Sequence, residues 1–215
     1  PTGIDLSGES AGLIPNDRWK RQNYGEVWTT GDTYNAAIGQ GYVLVTPLQL
    51  LNATAAIANG GILYRPQLVY QVTDYRGNLV RSYVPDVLNE LGVDAQHLAA
   101  VRLGMQQAVQ WGTAPGARLP GVSVAGKTGS AEFAMFDEEG NLVVDERGYS
   151  PTHAWFTAFA PYEDPEIALV VMLEAGGEGS QVAVPVAAEV LRHYFGLVPT
   201  PEPPAAPAGE EVAVP

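Results

Sequence analysis

Lys127, Thr128, Gly129 and Ser130 stand together in the stretch Val122–Glu132, which reads V-S-V-A-G-K-T-G-S-A-E. Lysine brings a compact positive charge with three donors. Threonine adds a hydroxyl beside it, and Gly129 has no side chain to keep another backbone away from the strand. Such a set suits a ligand that is extended, lies alongside the strand and ends in a carboxylate. On spacing alone, Lys127 equally fits a charge that protects a sheet edge from aggregation, and Thr128 an ordinary strand residue.

The element that must carry these residues is a strand. Val122 and Val124 alternate with small or polar residues, which predicts a half-buried strand over Val122–Ser130. The same letters also satisfy G-x-x-x-x-G-K-[ST] from Gly121 to Thr128, the phosphate-binding loop pattern. That pattern needs an apolar strand before Gly121 and a helix after Thr128. The sequence instead has a Gly- and Pro-rich run, Gly112–Pro120, before it and Gly129-Ser130 after it. A nucleotide-binding loop at Gly121–Thr128 is therefore the disfavoured alternative.

The chain has 215 residues, 46% of them hydrophobic, enough for one domain with a sizeable core. Its formal net charge of −13 repels polyanions, so nucleic acid is not an expected partner. It contains no cysteine, so disulfides say nothing about compartment. The longest apolar run, Ile167–Leu173, falls far short of the ~18 residues of a membrane span. No His lies at metal-ligand spacing from the acidic runs Asp137–Glu139 and Asp145-Glu146, which read as solvated hairpin tips. No metal or cofactor is expected. The chain opens on Pro1-Thr2-Gly3, without initiator Met or signal peptide, and is expected to be a piece of something longer.

Around the central strand, the pattern predicts a helical turn at Asn16–Lys20 and a surface loop over Gly25–Gly31. Gly39-Gln40-Gly41 reads as a tight turn held by Gln40. A helix Pro47–Ala58 follows, capped by Thr46 with Gln49 three residues on, and its inward face is Leu48, Leu51, Ala55 and Ala58. Ile62–Tyr75 and Leu79–Tyr83 form a hairpin around Arg76-Gly77-Asn78. Asp94 caps a helix to about Trp111, with Leu98, Val101, Met105, Ala108 and Val109 inward. Ala154–Ala160 and the wholly apolar Glu166–Glu174 are strands, the second central and covered on both faces. Ser180 caps a last helix, Gln181–Phe195, facing inward with Val184, Ala187, Ala188 and Leu191. From residue 198 the chain turns Pro-, Ala- and Glu-rich and reads as a disordered tail.

These blocks, in this order, resemble the C-terminal part of the transpeptidase domain of class B penicillin-binding proteins. The resemblance rests on Thr2–Leu6 with Gly8-Glu9, Gly31-Asp32-Thr33, Ile38-Gly39-Gln40-Gly41, Val45–Gln49, Ala56–Gly61, Lys127-Thr128-Gly129, His153–Phe156 and Phe159-Ala160-Pro161. It covers residues 1–197 and is most like the elongation-type penicillin-binding protein 2 group.

The resemblance implies an α+β fold: the transpeptidase and β-lactamase-like antiparallel sheet flanked by helices, here without its first strands and nucleophile helix. It implies a D,D-transpeptidase that cross-links peptidoglycan stem peptides by acyl transfer and is acylated by β-lactams, with a non-catalytic penicillin-recognising sensor as the alternative. Lys127 would be the catalytic-site cation. Lys127, Thr128, Gly129 and Ser130 would bind substrate, with the Ser130 N–H as an oxyanion donor. It also implies the extracytoplasmic face of a bacterial membrane and the cell-elongation machinery as partner.

One departure matters. The family's motif set includes Ser-x-x-Lys and Ser-x-Asn. No Ser in this chain has Lys three residues on or Asn two residues on. By resemblance both motifs precede this segment, so the chain alone is expected to be inactive. Its missing half would come from another segment or from self-association.

Overall fold

The computed structural model describes residues 1–197; the tail expected from residue 198 onward lies outside them. The chain gives helices α1 (Asp17–Tyr24), α2 (Thr30–Ala37) and α3 (Pro47–Ala58), then short strands β1 (Ile62–Tyr64), β2 (Gln71–Thr73), β3 (Leu79–Ser82) and β4 (Val87–Glu90). Helix α4 (Ala95–Gln110) and a 3₁₀ turn at Pro115–Ala117 lead into strands β5 (Ala125–Glu132), β6 (Thr152–Ala160) and β7 (Ile167–Leu173), and helix α5 (Gly179–Tyr194) closes the fold.

The sheet that matters is antiparallel, in the order β5-β6-β7. Its two faces are covered by different helices. On one, Ala154, Phe156 and Ala158 of β6 are fully buried against Val184, Ala187 and Leu191 of α5. On the other, Ala125 and Phe159 pack with Ala58 of α3 and Met105 of α4. Thr157 also points to this second face, where its hydroxyl meets that of Thr54 at 2.7 Å and donates to the Leu169 carbonyl at 3.1 Å. Both threonines are buried, so these bonds replace the water that burial removes.

The caps decide where helices start. Thr46 and Gln49 form the expected capping box, with Pro47 in the first turn, so α3 begins where the sequence placed it. Asp94 caps α4 through the Gln96 N–H. Gly112 ends α4 because a Cβ there would come within 2.7 Å of the Ala108 Cα.

Several expectations change. Strand β5 starts at Ala125 rather than Val122, since Val122 instead bridges Leu119 in a turn around Gly121. Strand β7 has α3 and α5 on its faces but lies at the sheet margin, with only Leu169 buried. The inward face of α3 is Thr54, Ala56 and Ala58, with Leu48, Leu51 and Ala55 half-buried. Val101 is 47% exposed, because the apolar face of α4 lines an open cleft there. Ser180 is not the cap of α5; the helix starts at Gly179, where a Cβ would strike the Trp155 and Gly129 carbonyl oxygens. The loop expected at 25–31 holds for residues 25–29 and stops two residues early, where the box of Thr29 and Asp32 starts α2, a helix with no buried residue. The pair β1–β4 was not anticipated, because Val87–Glu90 is exposed throughout and carries no alternation.

Candidate functional site

Strand β5 pairs with β6 in unbroken register, from Ala125 opposite Phe159 to Glu132 opposite Thr152. Just past it, the Phe133 N–H donates to the Pro151 carbonyl at 3.1 Å. Odd-numbered residues therefore turn their backbone groups toward β6, and the even-numbered Thr128, Ser130 and Glu132 turn theirs toward the opposite, open edge. Strand alternation sends the Lys127 side chain to the α3/α4 face and that of Thr128 to the α5 face.

The Lys127 side chain borders a cleft of about 380 Å³ between α3 and α4, lined by Leu50, Thr54, Ile57, Val101, Met105 and Thr157. The cleft walls are almost wholly apolar, and among the described residues Lys127 is the one cation on them. Its ammonium curls back to the strand edge and donates to the Thr128 carbonyl. An ammonium has three donors, so it can hold this carbonyl and still grip an anion. The Lys127 ammonium thus reaches the Thr128 backbone at the edge, although the two side chains leave from opposite faces.

The Thr128 hydroxyl lies 2.8 Å from that of Thr113, which follows α4. The Ser130 hydroxyl accepts from the Gly179 N–H at 3.5 Å, a long contact to the first residue of α5. Gly129 is closely confined, since a Cβ there would lie 3.3 Å from Trp155 Cβ. The backbone that approaches Gly129 is that of Gly179.

Gln40 is the residue that sequence reasoning undervalued. It does sit in a turn between two left-handed glycines, Gly39 at φ 75° and Gly41 at φ 70°. Its side chain, however, crosses to β5. Its Nε2 donates to the Ser130 carbonyl at 3.0 Å, and its Oε1 accepts from the Glu132 N–H at 3.3 Å. A polar residue flanked by two glycines was the only signal, and a single chain does not say across what gap it reaches.

Behind Gln40 stands a charged anchor. Lys20, 5% exposed, reaches Asp32 at 2.8 Å and Glu26 at 3.4 Å. Asp32 also accepts from the Thr29 N–H and hydroxyl at the start of α2. The Lys20 ammonium, followed by these Thr29 bonds, lowers the Asp32 carboxyl to a pKa of about 2.

Other marked residues are structural. His153 accepts from the Ala175 N–H at 3.1 Å through Nδ1 and stacks on Phe133 at 4.1 Å. Asp137 and Asp145 cap turns at the exposed tips, as expected. Among the described residues no group of three or more His, Cys, Asp or Glu is placed to hold a metal ion. None of their helices is long and apolar enough to cross a membrane.

The nucleotide-binding alternative fails on geometry. Lys127 and Thr128 lie inside β5, which runs on to Glu132, and no helix starts at Thr128. Without a helix N-terminus there is no cradle of N–H groups for phosphates. What the edge offers is a cation, a hydroxyl and an outward N–H along an open strand. That set can grip the acid end of an extended peptide and bind a carbonyl oxygen as it gains charge.

Comparison with known proteins adds to this geometry. Residues 1–192 match the family described as the penicillin binding protein transpeptidase domain. Peptidoglycan D,D-transpeptidase MrdA of Haemophilus influenzae is 34% identical over 202 residues, covering 91% of this chain and 30% of that protein. Among solved structures, penicillin-binding protein 2 of Helicobacter pylori in complex with MreC aligns with a TM-score of 0.69 at 31% identity, covering 92% of this chain and 33% of that one. The imipenem acyl-enzyme of penicillin-binding protein A from M. tuberculosis aligns with a TM-score of 0.63 at 30% identity, over 77% of this chain and 34% of that one. The chain therefore spans about a third of the length of the relatives it matches.

Proposed function

Because the chain belongs to the penicillin-binding protein transpeptidase family, we propose that it forms one wall of the acyl-transfer site of a peptidoglycan D,D-transpeptidase. The observation that carries this is the Lys127 ammonium held at the free edge of β5, one residue from the outward-facing Thr128 and three from the outward-facing Ser130.

In this proposal an extended stem peptide adds to the β5 edge. Lys127 and the Thr128 hydroxyl hold its terminal carboxylate by charge-assisted hydrogen bonds. Gly129 supports this edge from behind, by letting the Gly179 backbone come close to β5. A serine nucleophile attacks the penultimate carbonyl, the terminal residue leaves as an amine, and a second amine resolves the acyl-enzyme. The Ser130 N–H supplies one donor to the developing oxyanion. Losing such a donor costs on the order of a hundredfold in rate. Covalent catalysis also needs a nucleophile beside a base. This chain contains no Ser-x-x-Lys, so those groups belong to a separate segment that completes the cleft. A β-lactam, whose carboxylate and strained carbonyl copy the peptide end, would be trapped at the acyl stage.

The imipenem acyl-enzyme among the relatives supports β-lactam reactivity. The relative solved with MreC supports a partner in the elongation machinery. A site that acts on peptidoglycan would lie outside the cytoplasm, at the extracytoplasmic face of the membrane in this reading.

The test joins this chain to a Ser-x-x-Lys segment in one polypeptide and measures covalent labelling by a fluorescent penicillin, then turnover of a D-alanyl-D-alanine peptide. Labelling that Lys127→Ala and Thr128→Val sharply reduce is expected. Labelling that neither change affects overturns the proposal. Labelling without peptide turnover points to a sensor.

A further inference from the structure

The open edge of β5 is not bare. Taken in order, it presents the Thr128 carbonyl, the Ser130 N–H, the Ser130 carbonyl and the Glu132 N–H. The first is held by Lys127 and the last two by Gln40. A residue in a neighbouring parallel strand donates to the carbonyl of one residue and accepts from the N–H two residues on. The Gln40 amide does the same with Ser130 and Glu132, so it stands in for a single residue of an added strand.

We infer that Gln40 is a positioning residue, which ends the peptide-binding edge of β5 beyond Ser130 and fixes the backbone that aims the Ser130 N–H at the reacting carbonyl. The inference rests on the acyl-transfer reading of the edge. It has an electrostatic side as well. An oxyanion bound at the Ser130 N–H sits between two carbonyl oxygens whose partial negative charge opposes it. Each of those oxygens already faces a donor, the Lys127 ammonium on one side and the Gln40 amide on the other. A carbonyl has two lone pairs, so the Ser130 oxygen can still accept from a bound peptide.

The surroundings of Gln40 fit a placed group. The turn is tied to the end of α2 by the Gln40 N–H to the Asn35 carbonyl at 2.9 Å and the Gly39 N–H to the Ala36 carbonyl at 3.1 Å. A Cβ at Gly41 would press on Asn35 at 3.2 Å. The start of α2 is pinned by the ion pair of buried Lys20 with half-buried Asp32. Two blocks separated in sequence, Gly31-Asp32-Thr33 and Ile38–Gly41, thus serve one purpose: they carry one amide to β5, 90 residues away.

The experiment uses the polypeptide that joins this chain to a Ser-x-x-Lys segment, with Gln40→Ala and Gln40→Glu variants. Stopped-flow separates the pre-acylation affinity for a penicillin from the first-order acylation rate. Gln40→Ala should slow acylation about tenfold with affinity within about twofold. Gln40→Glu should slow it about a hundredfold, since a carboxylate still accepts from Glu132 but has no donor for the Ser130 carbonyl and puts a negative charge beside the oxyanion. Hydrogen exchange at the Glu132 amide should quicken in Gln40→Ala. If both variants acylate at the parent rate, or faster, the inference is wrong. It is equally wrong if both slow by one factor that tracks lost thermal stability, the mark of a turn-holding role. Failure of the unsubstituted polypeptide to acylate counts against the acyl-transfer reading instead.

Discussion

The hydroxyls of Thr113 and Thr128 meet at 2.8 Å, joining the loop after α4 to the strand that carries Lys127. Thr113 lies 15 residues before Thr128, in a stretch that reads as plain loop. The bond fixes the rotamer of the Thr128 hydroxyl; in the proposed reading Thr128 accepts from Thr113 and so keeps its own proton for a ligand carboxylate, which only accepts.

In the polypeptide joined to a Ser-x-x-Lys segment, Thr113→Val should therefore lower the second-order rate of penicillin acylation by roughly threefold to tenfold, the size of one neutral hydrogen bond. Thr113→Ser should restore it. Equal rates in all three proteins would show that the Thr128 hydroxyl is oriented by something else.

Removing the charge at Lys127 should cost more. In the same joined polypeptide, Lys127→Gln should weaken pre-acylation binding by roughly 10- to 100-fold, as expected for a charge-assisted bond of about 1.5–3 kcal/mol. Lys127→Arg should recover only part, because a planar fork does not reproduce an ammonium on a curled stem. The parent affinity should fall with added salt because Lys127 is exposed, and the Gln variant should lose that dependence. A salt dependence unchanged by the substitution would rule out Lys127 as the carboxylate partner.

Acid should loosen α2 through Asp32. Its pKa is lowered from 3.8 to about 2 in the folded protein, first by the Lys20 ammonium. A carboxylate with a depressed folded pKa contributes stability that is fully present above its unfolded pKa. That stability is lost as pH falls toward the folded value. Between about pH 4 and pH 2 the stability of the parent should thus fall more steeply than that of Asp32→Asn. Denaturant titrations at several pH values check this; parallel slopes would remove Asp32 from the account.

Gly126 belongs to the false phosphate-loop pattern, and its physical role is space. A Cβ there would sit 2.5 Å from the ring of the fully buried Phe156. Gly126→Ala should cost about 1–3 kcal/mol by overpacking, and Phe156→Leu in the same chain should recover part of it. Urea unfolding midpoints give the answer; a neutral Gly126→Ala would mean the strand yields freely there.

The outer margin of β7 has no strand partner among the described residues, although its Ile167–Leu173 run is apolar throughout. An unpaired apolar edge invites pairing. The isolated chain should therefore sediment as a self-associating species, and adding a segment that supplies the neighbouring strand should convert it to a discrete complex. A stable lone monomer would contradict this.

The sequence alone determined the local frame. Thr46 with Pro47 and Gln49, Asp94, and the inward row of Val184, Ala187, Ala188 and Leu191 were legible because caps and helical periods are short-range properties. The order of blocks around Lys127-Thr128-Gly129 was enough to point to the family. Only the tertiary structure decided where those residues sit and what they touch. The side chains of Lys127 and Thr128 leave opposite faces of one strand, and the Lys127 ammonium curls back to the Thr128 carbonyl at its edge. Thr113 turned out to hold Thr128, and Ser130 to touch the start of α5. Gln40 read as a turn residue and proved to be bonded to a strand 90 positions away. No periodicity encodes such contacts, because they depend on which separate elements the buried core brings side by side.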